Sequence, residues 1–418
     1  LAANGSLAGR VRAGGALVAE LKPASPSEGR LLDRPAGDVL RDYKAGGADA
    51  VSVLTDADHF QGSPDLLRQA HASGLPTLMK DFVVDEAQLD SARHAGASAV
   101  LLIERALGAD RREILVRAAH ARGLEVLLEV FGAADWQAAR SSEADLVGVN
   151  ARDLDTLEVD NAAALLLLGQ VAQERPGAAV ALSGIHDRNG ARLAFAAGAG
   201  GVLVGTALLR SPDPALLLRS LRRPLAKVCG LRTAGDVAAA ARAGADLAGL
   251  VVGSPTSPRN LSTLEAQRLN DEARAAGLRT VLVTRSTDLA AVREWCRLVR
   301  PDYLQLHGAA PAGWVHSLRA IPTHVLFGVG PGAAVPAGGA GAVLDGHADG
   351  GSGQVHEWRP VAAPGLTLVA GGLDAATAPQ ALRRSRAWGA DASSGLESAP
   401  GRKDPERIAA FVRAVQSA

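Results

Sequence analysis

The sequence is poor in cysteine. Cys229 and Cys296 are the only two in 418 residues, far apart and in no metal-ligand spacing. A disulfide framework is excluded, and a reduced, cytoplasmic setting fits. Net charge is also missing: 44 Lys and Arg balance 44 Asp and Glu, with no run of five or six like charges. That leaves neither the basic stripe of a nucleic-acid binder nor a charged disordered tail. A membrane-length apolar run is lacking as well. "LAFAAGAGGVLVGTALL" (193–209) is shorter than the ~20 residues a spanning helix needs and holds four glycines. It reads as a helix end, a turn, a strand and a second turn. Lysine is rare, standing only at 22, 44, 80, 227 and 403. The chain opens at Leu1 with neither a methionine nor a basic-then-apolar leader, so the expectation is a fragment or a trimmed chain.

What is present is one unit, repeated. "AGGADAVSVL" (45–54), "AGASAVLLI" (95–103), "AGAGGVLV" (197–204), "AGADLAGLVV" (243–252) and "WGADASSG" (388–395) share a pattern. A helix ends, a glycine takes the left-handed C-terminal position, and a short apolar strand begins. "ARGLEVLLE" (121–129) and "AAGLRTVLV" (275–283) repeat it. Strands alternating with helices imply a parallel sheet. The strand candidates are 16–21, 49–54, 76–80, 99–103, 124–129, 145–149, 179–183 and 200–205, then 225–229, 247–252, 279–284, 302–306, 323–328, 341–345, 366–370 and 390–394. Twice eight strands predict an α/β protein of two consecutive (β/α)8 TIM barrels, residues 1–222 and 223–418. Doubly wound open sheets are the alternative, but no GxGxxG fingerprint follows an early strand.

Active sites of such barrels lie at the C-terminal ends of the strands. In the first half those tips carry Glu20, Lys22, Lys80, Asp81, Glu129, Asn150, Arg152, Ser183, Gly184, Gly205 and Thr206. In the second they carry Cys229, Arg259, His307, Asp345, Gly371, Gly372, Ser394 and Gly395. Glu20 and Lys22 share a strand face roughly 7 Å apart. Two of the five lysines, 22 and 80, end strands in the first half, and lysine has a tunable pKa where arginine stays charged. "SGI" (183–185) with "VGT" (204–206), and "AGGL" (370–373) with "SSG" (393–395), are paired glycine-rich tips at nearly the same spacing in both halves. Loops after strands seven and eight with exposed backbone N–H groups predict two phosphate sites.

"AELKPASPSEG" (19–29), "VSVLTDADHFQGS" (51–63), "MKDFVVDEAQL" (79–89), "LLEV" (127–130) and "VGVNARDLDTLEVD" (147–160) resemble indole-3-glycerol phosphate synthase. "KVCGLRT" (227–233), "TSPRNL" (256–261), "LQLHG" (304–308), "VLDGHADGGSG" (343–353), "LVAGGL" (368–373) and "ADASSGLES" (390–398) resemble phosphoribosylanthranilate isomerase. Their order is similar to that of the fused bifunctional enzyme of bacterial tryptophan biosynthesis, over almost the whole chain.

The resemblance implies that the second half performs an Amadori rearrangement, with Asp345 as general acid and Cys229 as general base. A carboxyl donates if its pKa is raised, and a thiolate accepts if its pKa is lowered. Arg259 would clamp the anthranilate carboxylate bidentately; His307 and Asp391 would bind substrate; Gly371, Gly372, Ser394 and Gly395 would hold phosphate. Cys296, on an apparent helix, reads as a buried small hydrophobe. The first half would close the indole ring, with Lys80 and Lys22 as cationic acid and clamp and Glu129 as base. Glu20, Asn150, Ser183 and Arg152 would shape that site, with Phe82 against the substrate. Ser25 and Ser27 would lie over the phosphate, with Gly184, Gly205 and Thr206.

Two departures stand out. The family's seventh strand ends Glu-Ser-Gly-Ile, where this chain has Leu182-Ser183-Gly184-Ile185, and some forty family residues before "AELKPASPSEG" are reduced here to Leu1–Val18. They keep open a second reading, an isomerase fused to a ligand-binding or structural first barrel, and a third, other sugar-phosphate barrels. No metal, flavin or nucleotide is implied. The partners expected are phosphorylated small molecules, with no nucleic acid and no membrane, and the chain is expected to act as a monomer.

Overall fold

Each repeat folds for a reason visible in its backbone. Gly47, Gly96, Gly198 and Gly244 take φ of +84°, +88°, +100° and +82° after their helices, the left-handed turn that a side chain resists. The fifth repeat departs from this. Its helix, Ala378–Ser385, ends on Arg386 at φ +55°, while Gly389 lies in the strand. Glycine is required there for space: a Cβ would stand 2.2 Å from the Leu225 carbonyl oxygen. The computed structural model describes residues 4–153, 156–308, 313–318, 321–330, 333–345, 358 and 365–418. Residues 154–155 and 346–353, within two of the stretches quoted above, lie outside them.

The chain divides into two units, Leu1–Arg222 and Arg223–Ala418. In the first, strands β1 (Ala16–Leu21), β2 (Ala50–Leu54), β3 (Thr77–Lys80), β4 (Ala99–Ile103), β5 (Glu125–Val130), β6 (Leu146–Asn150), β7 (Ala179–Leu182) and β8 (Gly201–Val204) form a closed barrel. Every pairing is parallel, and β1 closes the ring by pairing with both β2 and β8. The run 193–209 holds the end of a helix, then β8, then a short helix, Thr206–Arg210, where a second turn was expected.

In the second unit, β9 (Leu225–Cys229), β10 (Leu247–Val252), β11 (Arg279–Thr284), β12 (Tyr303–His307), β13 (His324–Val329), β14 (Gly341–Leu344), β15 (Leu366–Val369) and β16 (Gly389–Ala392) repeat the plan. β9 pairs with both β10 and β16, which closes the second barrel.

Alternation along each strand separates the two kinds of packing. In the second unit Ala226, Val228, Ala248, Leu250, Leu304 and Leu306 belong to the apolar cluster that includes Val237, Leu269 and Phe411 of the surrounding helices. Their strand neighbours Lys227, Cys229, Gln305 and His307 therefore face the barrel interior. In the first unit the inward residues grade from apolar to charged. Ala16, Val18, Leu78, Leu101 and Leu127 pack with Leu7, Ala8 and Val11 of the helix Leu7–Arg12. Glu20, Lys80 and Glu129 continue the same faces toward the C-terminal ends. Burial holds the lower layers together and leaves the upper layer for chemistry.

Candidate active sites

At the C-terminal end of the first barrel, Lys22 Nζ lies 2.9 Å from Glu20 Oε1 and 3.4 Å from Thr206 Oγ1. Glu20 is buried, which by itself would raise its pKa. Lys22, Lys80 and Arg152 outweigh the burial and hold the carboxyl below its usual range. Across the interior, Asn150 Nδ2 donates to Glu129 Oε1 at 3.1 Å, and Asn150 Oδ1 accepts the Arg152 backbone N–H at 3.0 Å. Glu129 Oε2 is buried without a hydrogen-bond partner, with Lys80 Nζ 4.0 Å away. Leu182, Ser183, Gly184, Gly205 and Thr206 line one narrow cavity of about 50 Å³ with Glu20, Lys22 and Lys80. Ser183 and Gly184 take φ of +62° and +68°, a turn that also leaves no room for a Cβ at Gly184, 1.9 Å from Asn161 Oδ1. Leu182 is buried in the barrel's apolar cluster. A Cβ at Gly148 would lie 2.6 Å from its Cδ1.

The second barrel opens on a cavity of about 350 Å³, within the range of small-molecule sites. Cys229, Arg259, His307, Asp345, Gly371, Gly372, Asp391 and Ser394 all line it. Burial pushes the Cys229 thiol up, against the pull of Lys227. Desolvation thus outweighs the nearby ammonium and opposes the lowering that a thiolate base calls for. Lys227 is fully buried and donates to Asp391 Oδ2 at 2.6 Å and Gln305 Oε1 at 2.9 Å. Burial opposes its charge, but Asp391 and Cys229 together outweigh burial and raise its pKa. His307 Nε2 stands 3.6 Å from Asp345 Oδ2. Arg259 is placed differently from a free clamp. Its Nε and Nη2 bind Glu397 Oε1 and Oε2 at 2.7 and 2.8 Å, leaving only the remaining N–H groups for a ligand. Glu397 also accepts from Lys403 Nζ at 2.8 Å, and Lys403 in turn donates to the Ser393 carbonyl at 2.9 Å. Among the described residues no cluster of three or more His, Cys, Asp or Glu could hold a metal, and no helix is long and apolar enough to cross a membrane.

Residues 4–221 match the family model of indole-3-glycerol phosphate synthase, and residues 226–414 match that of N-(5'-phosphoribosyl)anthranilate isomerase. The tryptophan biosynthesis protein TrpCF of Yersinia pestis is 35% identical over 416 residues, covering 96% of this chain and 84% of that one. The chain belongs to this two-barrel synthase–isomerase family. The TrpCF protein of Vibrio parahaemolyticus is 32% identical over 96% of this chain and 84% of its own length. Among solved structures, TrpF from Jonesia denitrificans is 34% identical over 46% of this chain and 97% of its own, with a TM-score of 0.41.

In the synthase barrel the structure gathers Glu20, Lys22, Lys80, Arg152, Ser183, Gly184, Gly205 and Thr206 around one cavity, with Glu129 and Asn150 joined to it through Lys80 and Arg152. Ser25 and Phe82 are not among its lining. Ser25 sits in a two-residue ribbon with Gly29–Arg30 and accepts the Glu28 N–H, while Phe82 is 39% exposed and edge-on to His59. In the isomerase barrel Gly395 lies outside the cavity lining, and a Cβ there would stand 2.2 Å from the Leu373 carbonyl oxygen. Cys296 is buried on the helix Leu289–Val299, its thiol pushed up to about 12 by desolvation. Sequence reasoning passed over Lys227, Gln305, Glu397 and Lys403. A period-two count would have found the first two, since each stands two residues before a chosen site residue on the same strand face.

Proposed function

We propose that the isomerase barrel converts N-(5-phosphoribosyl)anthranilate to the aminodeoxyribulose phosphate, and that the synthase barrel closes this product to indole-3-glycerol phosphate with loss of carbon dioxide and water. The chain is a bifunctional enzyme of tryptophan biosynthesis. The observation that carries the assignment to sites is the separation of two charged sets, one at the C-terminal end of each barrel.

In the isomerase barrel Asp345 gives its proton to the furanose ring oxygen, and the ring opens to the iminium. Cys229, in the thiolate form that Lys227 supports against burial, takes the proton from C2, and the resulting enamine tautomerises to the ketose. The Lys227 ammonium is the group that stabilises the thiolate in a buried site. Arg259, held by Glu397, meets the anthranilate carboxylate, and Gly371, Gly372 and Ser394 meet the phosphate. In the synthase barrel Lys80 donates a proton as the ring forms and Glu129 receives one as it aromatises. Lys22, fixed by Glu20, clamps the substrate, with Ser183, Gly184, Gly205 and Thr206 toward its phosphate.

A purely ligand-binding first barrel is not favoured, because the match to the fused relatives runs along both halves. We further propose that the protein works as a monomer in the cytoplasm on these phosphorylated small molecules. Separate steady-state assays of the two reactions test the scheme. Cys229→Ser or Asp345→Asn should abolish isomerisation and leave synthase turnover intact. Lys80→Ala should lower synthase kcat far more than it raises KM, since a proton donor acts mainly in the transition state. Equal loss of both activities from one substitution would sink the two-site scheme.

A further inference from the structure

The polar residues buried in the isomerase barrel form a chain rather than a scatter. Lys227 on β9 reaches across the interior to Gln305 on β12, Nζ to Oε1 at 2.9 Å. Gln305 Nε2 then faces His307 Nδ1 at 3.2 Å, and His307 Nε2 faces Asp345 Oδ2 at 3.6 Å. Donor and acceptor roles along this chain follow from chemistry. An ammonium has donors only, so the Gln305 oxygen must turn toward Lys227 and its NH2 toward His307. An amide NH2 donates only, so His307 Nδ1 must accept. The ring proton therefore sits on Nε2, the nitrogen that faces Asp345.

We propose that Gln305, oriented by Lys227, is a positioning residue that fixes His307 as the neutral Nε2–H tautomer and so keeps Asp345 able to carry the proton it donates. This rests on the reading of Asp345 as the isomerase acid. A cationic imidazole beside Asp345 would favour its ionised form and weaken it as a donor. A neutral N–H donor orients the carboxyl without imposing that charge. Among the described residues, the charged groups acting on His307 include Asp345, Arg285, Lys227 and Asp391, each from a different strand or the turn after it, and Cys229 and Arg259 line the same cavity. Burial holds the His307 pKa below its usual value, in the same sense as the donor facing Nδ1.

The test begins on the unmodified 418-residue chain. Nitrogen-15 NMR of labelled histidine at pH 7, with His307→Asn identifying the resonance, should show an unprotonated Nδ1 and a protonated Nε2. An Nδ1–H tautomer or an imidazolium at pH 7 overturns the proposal. Gln305→Glu replaces the donor facing Nδ1 with an acceptor, so His307 should protonate at higher pH. Isomerase kcat at pH 7 should fall about tenfold or more, part of the ~10²–10⁴ that a general acid supplies, with KM little changed. Wild-type kcat in Gln305→Glu alongside a shifted histidine titration counts against the link to Asp345. Full isomerase activity in Asp345→Asn would instead remove the acid assignment, and the histidine spectrum separates that failure from failure of the relay.

Discussion

Two glycines show how closely single residues are fitted around the proposed site residues Glu20 and Cys229. A methyl group at Gly205 would stand 2.3 Å from Glu20 Oε1, and one at Gly249 would stand 2.8 Å from Cys229 Sγ. Contacts that short force one partner to move, and neither partner has space to spare: Glu20 is buried against Lys22, and Cys229 is buried beside Lys227. Under the proposed roles, Gly205→Ala should weaken synthase turnover and substrate binding by loosening the Lys22 clamp and spare the isomerase. Gly249→Ala should cut isomerase kcat by about tenfold or more and spare the synthase, because a displaced general base forfeits much of the ~10²–10⁴ it supplies. Assaying both reactions on each variant checks this. A loss of synthase activity from Gly249→Ala would mean that the effect is global misfolding. Leu182 is a contrasting case. It fills the interior beside Gly148 as an apolar wall, and the carboxylates near Lys22 and Lys80 come from β1 and β5 instead.

At the scale of elements, Glu397 ties three separate segments together. It begins the strand Glu397–Ala399, binds Arg259 ahead of the strand Asn260–Leu261, and binds Lys403 of the strand Arg402–Lys403. Burial would raise its pKa, but Arg259 and Lys403 outweigh it and hold the carboxyl down at about 2, against an ordinary 4.5. A carboxyl depressed by folding adds stability that is complete above 4.5 and is lost as pH falls toward 2. The size is roughly 3 kcal/mol at most, from 1.36 kcal/mol per pKa unit. Calorimetry between pH 5 and pH 2.5 should show Glu397→Gln less stable than the native chain at pH 5, with the gap narrowing toward pH 2.5. A gap that stays constant with pH would show that Glu397 contributes by packing and not by charge. The same variant should raise isomerase KM, because Arg259 loses the partner that aims it.

At the scale of the whole molecule, each barrel satisfies its own strand edges, since β1 joins β2 and β8, and β9 joins β10 and β16. Residues 1–222 and 223–418, expressed separately, should each unfold cooperatively and keep their own reaction, as calorimetry and the two assays would report. A fragment that is inactive and lacks a thermal transition would show that one barrel needs the other. The sequence alone determined the sixteen strands, because apolar runs punctuated by helix-ending turns leave few alternatives. It picked out strand tips that line the two cavities, because a parallel barrel places its strand ends together. It could not say that Arg386, and not Gly389, takes the left-handed turn, since both positions suit a helix end and only the Leu225 carbonyl excludes a side chain at 389. Nor could it show that Arg259 spends its fork on Glu397, 138 residues later, or that Lys227 reaches Gln305 across 78 residues. Alternation along a strand is local and legible from residue to residue. The partner of a buried charge is decided by which strands the closed barrel sets face to face, and that exists only once the ring has closed.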